Sequence, residues 1–277
     1  MRQLIINADD FGMSKEVNEG TKQGIKAGVV TSVSVMVNMS YFEDAISFLK
    51  RYPHVSVGLH FNITEGKSVL PPYEVESLLR EDDSFYHWTS LIFTRLHMNR
   101  LTLIDVKKEL EAQIKILEKT GVPITHIDSH HHIHLHPKLF PIVSQYTKEK
   151  NINSVRCHHF DLWNLHLGIR RKPIVTQMII SSLLLLNNVM NSHENHHYTI
   201  DRFFDLNWAY EMTPTEFLRI LEQLPDGTTE FICHLATVSK KGNKRFLLPR
   251  SAVLTLLEDK NVQRYLKSKK ITLVPHY

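Results

Sequence analysis

Residues 126 to 137 read HIDSHHHIHLHP, a run dominated by imidazole with one carboxylate inside it. Imidazole and carboxylate are ligands for a divalent cation and carriers of protons near neutral pH, so the run points to metal or acid–base chemistry. It lies mid-chain, which separates it from a terminal affinity tag. In an extended chain His130, His132 and His134 would share a side, whereas on a helix His130 and His134 would. One or two of these can reach a single metal. The others (His126, His131 and His136) are then expected at the rim, behind a ligand, or in solvent.

Three further places carry residues of the same kind: Asp9 and Asp10 in NADDFG, His60 in GLHFN, and His234 in ICH. Each alone has a plain alternative. ADDFG can be a polar turn, and a histidine flanked by Leu59 and Phe61, or one following Cys233, can be a packed core residue. Adjacent carboxylates in a regular strand point apart, so Asp9 and Asp10 can serve one site only where the chain turns, and Phe11-Gly12 supplies a permissive residue.

The elements that must position these residues follow from hydrophobic periodicity. Strands are expected over 4–10, 29–38, 55–64, at ITHID before the histidine run, over 152–158 and 229–236, and at the terminal ITLVPHY; helices are expected over 14–28, 41–52, 102–121, 213–224 and 251–269. HPKLFPIVSQYTKEK after the run is also helical in pattern. Ser14 reads as an N-cap, and Thr213 with Glu216 as a capping box with Pro214 at the first helical position. Strand and helix alternate without a clear linker. The expectation is a single α/β domain over 1–277, a somewhat distorted TIM-like (β/α) barrel of about seven or eight strands. Irregular patterning near 65–101 and 159–210 suggests insertions, and the apolar stretch 178–190 reads as a buried helix. In such a fold the carboxyl ends of parallel strands gather on one face. Asp9, Asp10, His60, Asp128, His130 and His234 can therefore be neighbours, and two imidazoles with one carboxylate leave positions open for water and substrate in a hydrolytic metal site.

Taken together, NADDFG (7–12), GLHFNIT (58–64), THIDSHHHIHLHP (125–137) and ICH (232–234) resemble the YdjC-like carbohydrate deacetylases, the family that includes chitooligosaccharide deacetylase, in order and spacing along most of the chain. The resemblance implies a distorted (β/α) barrel and metal-dependent removal of acetyl groups from N-acetylated amino sugars. It makes Asp10, His60 and His130 the metal ligands, Asp9 the catalytic base, and His234 a candidate general acid. The chain departs from the family where CHP is replaced by CHL, and it resembles the family poorly over 159–210. Asp128 could orient an imidazole through its second ring nitrogen, or cap the next turn. His132 and Arg156 complete the candidate set, Arg156 as a substrate contact or a structural salt bridge. One divalent metal is expected: two histidines and an aspartate suit zinc by ligand softness, and the family is also described with magnesium. A phosphoesterase, a non-sugar amidohydrolase or a non-catalytic sugar-binding protein on the same barrel are the alternatives.

Composition bounds the partners. The net charge of +4 is dispersed and its short basic stretches lack interleaved aromatics, so no nucleic acid is expected. No apolar run reaches the roughly 20 residues of a membrane span. Cys157 and Cys233 match no zinc motif and no disulfide framework, which with the absence of a signal-peptide pattern points to the cytoplasm. A small acetylated sugar or oligosaccharide is the expected substrate. A homodimer is the family and base-rate expectation. Trp88, Trp163 and Trp208 are candidate sugar platforms or loop anchors.

Overall fold

Strand β1 (Arg2–Phe11) is the axis on which the fold is built. The computed structural model describes residues 1–157, 182, 200–268 and 270–276. Around β1 stand β2 (Ser32–Val35), β3 (Ser56–Phe61), β4 (Ile124–Ser129), β5 (Ser154–Val155), β6 (Arg202–Asp205), β7 (Gly227–Cys233) and β8 (Thr272–Leu273). The sheet order is β5-β4-β3-β2-β1-β7-β6, with β8 pairing the start of β1, and every pair is parallel. Parallel neighbours need crossovers, which α1 (Lys15–Lys26), α2 (Phe42–Leu49), α3 (Thr89–His97), α4 (Leu103–Glu118), α5 (Phe140–Glu149), α6 (Pro214–Glu222), α7 (Lys244–Glu258) and α8 (Lys260–Leu266) supply among the described residues. The architecture is a distorted (β/α) barrel in one α/β domain. Strand β3 is buried on both faces, as a parallel sheet covered by helices requires.

Local chemistry explains the helix ends. The Ser14 hydroxyl accepts from the Val17 N–H and opens α1, whose Val17, Thr21 and Ile25 are buried. Thr102 caps α4 in the same way, and Val106, Leu110, Ile114 and Leu117 face the core. The Thr213/Glu216 capping box is present at α6. One expected helix is two: the span 251–269 belongs to α7, which begins earlier at Lys244 and runs through Pro249, and to α8, because Asp259 leaves helical geometry to cap Asn261 and Val262. The strand expected over 29–38 is only β2, since Met36 onward turns toward α2. Most of 159–210, including the apolar stretch 178–190 and Trp163, lies outside the described residues. No described helix is long and apolar enough to cross a membrane.

The segment 65–101 holds two 3-10 turns (Pro72–Glu74 and Glu76–Leu78), α3, and bridges Lys67–Ser84 and Leu79–Phe85. A buried carboxylate fastens it. Glu109 of α4 accepts from the Val69 and Leu70 N–H groups at 3.0 and 3.4 Å and from Gln113 Nε2 at 2.8 Å. Gln113 in turn bonds both the N–H and the carbonyl of Asn62, just past the end of β3. The loop is thereby tied to the strand that carries His60.

The histidine run is neither an extended strand nor a regular helix. After β4 the chain enters a 3-10 segment, His130–Leu135, in which His131 and His132 both take left-handed backbone angles (φ 57° and 53°). Non-glycine residues adopt this region rarely, and here it folds the His131 ring back against that of His130, with centroids 3.9 Å apart. His134 turns inward, its N–H donating to Ser129 Oγ at 3.0 Å and its Nε2 meeting the Arg156 carbonyl at 2.8 Å. His126 and His136 are buried rather than solvated: His126 stacks on His276 with ring centroids 4.0 Å apart, and His136 packs against Phe93. His126 fits because its neighbour in β3 is Gly58, where a Cβ would fall inside the imidazole. Only His131 of the run is exposed.

Two outcomes follow for stability. Glu109→Ala leaves two backbone N–H groups and Gln113 without their acceptor and should lower unfolding free energy by about 2–3 kcal/mol in urea titrations, with Glu109→Gln costing less; equal stability of wild type and alanine variant would contradict this role. Burial holds His134 neutral, with its pKa lowered to about 4. The unfolded chain takes up this proton from about pH 6.5 downward and the folded chain only near pH 4, so stability present above that window is lost as pH falls through it. Between about pH 7.5 and about pH 5 the wild type should lose about 2 kcal/mol more than His134→Gln. Parallel losses in the two proteins would refute the assignment.

Candidate functional site

The carboxyl ends of β1, β3, β4 and β7 bring Asp9, Asp10, His60, Asp128, His130 and His234 together at one end of the barrel. The problem of two adjacent aspartates is solved at Asp10 itself. Its φ is 64°, and the pairing of β1 with β2 shifts register between Ala8 and Phe11. This bulge, rather than a turn at Phe11-Gly12, swings Asp10 onto the side that Asp9 already faces. Gly12 follows with φ 103° and lies against Met36 and Phe42, so it completes the departure from the strand.

Asp10 Oδ1 is 3.3 Å from His60 Nε2 and 3.8 Å from His130 Nε2. Both imidazoles are oriented from behind. His60 Nδ1 bonds Asp128 Oδ1 at 2.7 Å, and His130 Nδ1 bonds Thr64 Oγ1 at 2.6 Å. With Nδ1–H of His60 given to a carboxylate, its Nε2 presents a lone pair toward Asp10. Asp10 Oδ1 and His60 Nε2 are both buried and have no hydrogen-bond partner among the described residues. Two electron-rich atoms held this close call for a cation between them. In the chain alone a proton on His60 meets the need: burial opposes the imidazolium, yet Asp128 and then Asp9 raise its pKa to about 10.

The other edge of Asp10 faces different groups. Oδ2 accepts from Arg250 Nη2 at 2.8 Å and lies 3.7 Å from His234 Nε2. Burial works against ionising Asp10, but Arg250 and His234 outweigh it and hold the pKa well below the usual carboxylate range. Burial also keeps His234 neutral, with its pKa lowered to about 4.

Asp9 and Asp128 are joined by Arg156. The guanidinium grips Asp9 with two bonds of 2.8 Å, reaches Asp128 Oδ2 at 2.6 Å, and donates through Nε to Glu230 at 3.0 Å. Asn7 and Ser34 complete the cluster: Asn7 Nδ2 donates to Asp9 Oδ1 at 2.6 Å and Ser34 Oγ donates to Asp128 Oδ2 at 2.6 Å. Despite burial, Arg156 lowers the pKa of Asp9. Arg156 is thus a buried ion-cluster residue. His132 is half-buried, with its ring 6.0 Å from that of Phe203 and 6.5 Å from that of His134.

Three groups of this cluster escape a reading of sequence motifs. Arg250 comes from the middle of α7 behind Pro249, Glu230 lies inside β7 and Ser34 inside β2. Thr64 closes the GLHFNIT motif, and Asn7 carried a local signal, being two residues before Asp9 and so on the same face of β1. Trp88 is exposed at the start of α3.

The ligand atoms of Asp9, His60 and Asp128 also lie within 4.8 Å of one another, close enough to hold a metal ion. Both of those carboxylates are already engaged by Arg156, and a cation among them would face the guanidinium. Among the described residues no guanidinium bonds the Oδ1 edge of Asp10 that faces His60 and His130. A tetrahedral shell with bonds of about 2 Å spaces its ligand atoms roughly 3.3 Å apart; Asp10 Oδ1 meets this spacing with His60 Nε2 at 3.3 Å and approaches it with His130 Nε2 at 3.8 Å, while the two imidazole rings stand with centroids 5.8 Å apart.

Comparison with known proteins agrees in fold and family. A carbohydrate deacetylase of Brevibacillus brevis is 31% identical over 98% of this chain and 97% of its own length. One from Geobacillus stearothermophilus is 32% identical over 86% of this chain and 80% of its own. A chitooligosaccharide deacetylase of Serratia marcescens is 36% identical over 54% of this chain and 57% of its own. A solved structure from Enterococcus faecalis V583 has a TM-score of 0.76 at 24% identity, covering 99% of this chain and 97% of that one, a likeness of fold. The YdjC-like protein family matches residues 3–268, and with strands, bulge and convergent histidines in place the chain belongs to that family.

Proposed function

We propose that this protein is a metal-dependent N-deacetylase of acetylated amino sugars, with Asp10, His60 and His130 as the metal ligands. The single observation that carries the reading is the convergence of Asp10 Oδ1 with two back-oriented imidazole nitrogens, of which Asp10 Oδ1 and His60 Nε2 are buried and unpaired. The charge balance supports it. Asp9, Asp10, Asp128 and Glu230 are four buried carboxylates against the two guanidiniums of Arg156 and Arg250, so with neutral imidazoles a formal charge of −2 is left for a divalent ion to balance. The nitrogen-rich donor set favours zinc over magnesium. Names of relatives supply the substrate class: they are described as carbohydrate and chitooligosaccharide deacetylases.

When bound there, the cation supplies a Lewis acid that makes a water more acidic and an acetyl carbonyl more electrophilic. The protein's own residues do the rest. Asp9, held ionised by Arg156, has both lone pairs of Oδ1 taken by Arg156 and Asn7 but keeps one free on Oδ2, where it accepts the proton of the attacking water. Its low pKa makes the protonated form a ready donor, so the same proton passes on to the departing amine. His234, neutral at pH 7, stands with Nε2 3.7 Å from Asp10's other edge and is the second candidate for delivering a proton. Asp128 fixes the tautomer of His60.

Zinc-loaded protein should release acetate from N-acetylated chitooligosaccharides, and chelator should abolish the release. Asp9→Asn should lower kcat by about 1000-fold with metal affinity near wild type, whereas Asp10→Ala, His60→Ala and His130→Ala should each weaken metal binding about 10- to 100-fold or more in calorimetric titration. No acetate from a broad panel of acetylated sugars, or full activity in Asp9→Asn, would contradict the reading.

A further inference from the structure

Arg250 has no place in the reaction as described so far, yet it is held more firmly than a surface arginine. It projects from α7, one helical turn after Phe246, and its guanidinium carbon lies 4.0 Å from the centre of that ring. One nitrogen, Nη2, donates to Asp10 Oδ2 at 2.8 Å. The side chain is 13% exposed. The other terminal nitrogen, Nη1, is buried and has no hydrogen-bond partner among the described residues. His234 Nδ1, on the ring whose Nε2 approaches the same Asp10 oxygen, is likewise buried and unpaired.

A charged donor without an acceptor is among the costliest groups to bury, and a counter-ion for Asp10 would need only one of the two nitrogens. The remaining N–H groups of a planar guanidinium match an oxygen that is, or becomes, negatively charged. We infer that Arg250 is a further catalytic residue, its Nη1 donating to the acyl oxygen of the substrate and to the negative charge that forms on it. This inference rests on the deacetylase reading above. When the oxygen of water adds to the acetyl carbon, the carbonyl π pair moves onto the acyl oxygen. When the C–N bond then breaks, that pair re-forms the carbonyl, the amine leaves with the proton, and acetate remains. Charge therefore develops on the acyl oxygen and persists on the product carboxylate. A fixed cationic donor favours both over the neutral amide.

The test uses the zinc-loaded protein with Arg250→Met, which keeps the length of the stem, and Arg250→Lys, which keeps the charge without the fork. Acetate is titrated by calorimetry, zinc affinity is measured separately, and kcat is read on an acetylated chitooligosaccharide. Arg250→Met should weaken acetate binding about tenfold and lower kcat about 100-fold at saturating zinc, and Arg250→Lys should recover part of both. Acetate binding unchanged in Arg250→Met, no acetate binding by the wild type, or a kcat defect that vanishes once zinc saturates would overturn the assignment and leave Arg250 as a counter-ion of Asp10. Wild type that binds acetate through Arg250 but releases none from any acetylated sugar would sink the deacetylase reading and leave the Arg250 contact standing.

Discussion

A guanidinium surrounded by three carboxylates in the barrel interior is the constraint on which the site rests. Arg156 is 3% exposed, and Asp9, Asp128 and Glu230 around it are buried as completely. Charges so far from water persist only when paired and hydrogen-bonded, and removing one partner leaves the others uncompensated. Its contacts tie β1, β4 and β7 together at the level where the chemistry sits. Its backbone carbonyl also receives His134, which anchors the turn that presents His130. One residue thus fixes the proposed base, the carboxylate that orients His60, and the loop that supplies the second imidazole.

Burial of charge then sets what the site can accept. Arg156 satisfies Asp9 and Asp128 but does not reach Asp10, whose only charged hydrogen-bond partner among the described residues is Arg250, on one oxygen. The second oxygen faces His60 and His130 without a donor. This division explains why the two triads that share His60 differ in meaning. Asp9, His60 and Asp128 are close because a guanidinium draws the carboxylates in. Asp10, His60 and His130 meet on the edge of Asp10 that Arg250 does not reach.

Much of this was legible in the amino-acid sequence because it depends on periodicity and on strand ends. Alternation of β-branched runs with capped helices predicts the barrel, and parallel strands must bring Asp10, His60, His130 and His234 to one face. Caps at Ser14 and Thr213 were visible because a side-chain acceptor three residues before its donor is a local signal. What was not legible depends on backbone choices and distant pairings. The left-handed angles at Asp10, His131 and His132 are uncommon for residues with a side chain, though Asp and His tolerate them best, and no periodicity in the sequence marks where they fall. The burial of His126 depends on Gly58 in another strand and on His276 at the far end of the chain. Arg250 sits behind a proline in the middle of a helix, where neither spacing nor flanking residues mark it.

The central claim is that the cation belongs on the Oδ1 edge of Asp10. Anomalous diffraction from crystals of the zinc-loaded protein, collected across the zinc absorption edge, reads this directly. The account predicts one peak bonded to Asp10, His60 Nε2 and His130 Nε2, with the Arg156 cluster intact. A peak bonded instead to Asp9 and Asp128, with Arg156 displaced, or no peak at all, would contradict it.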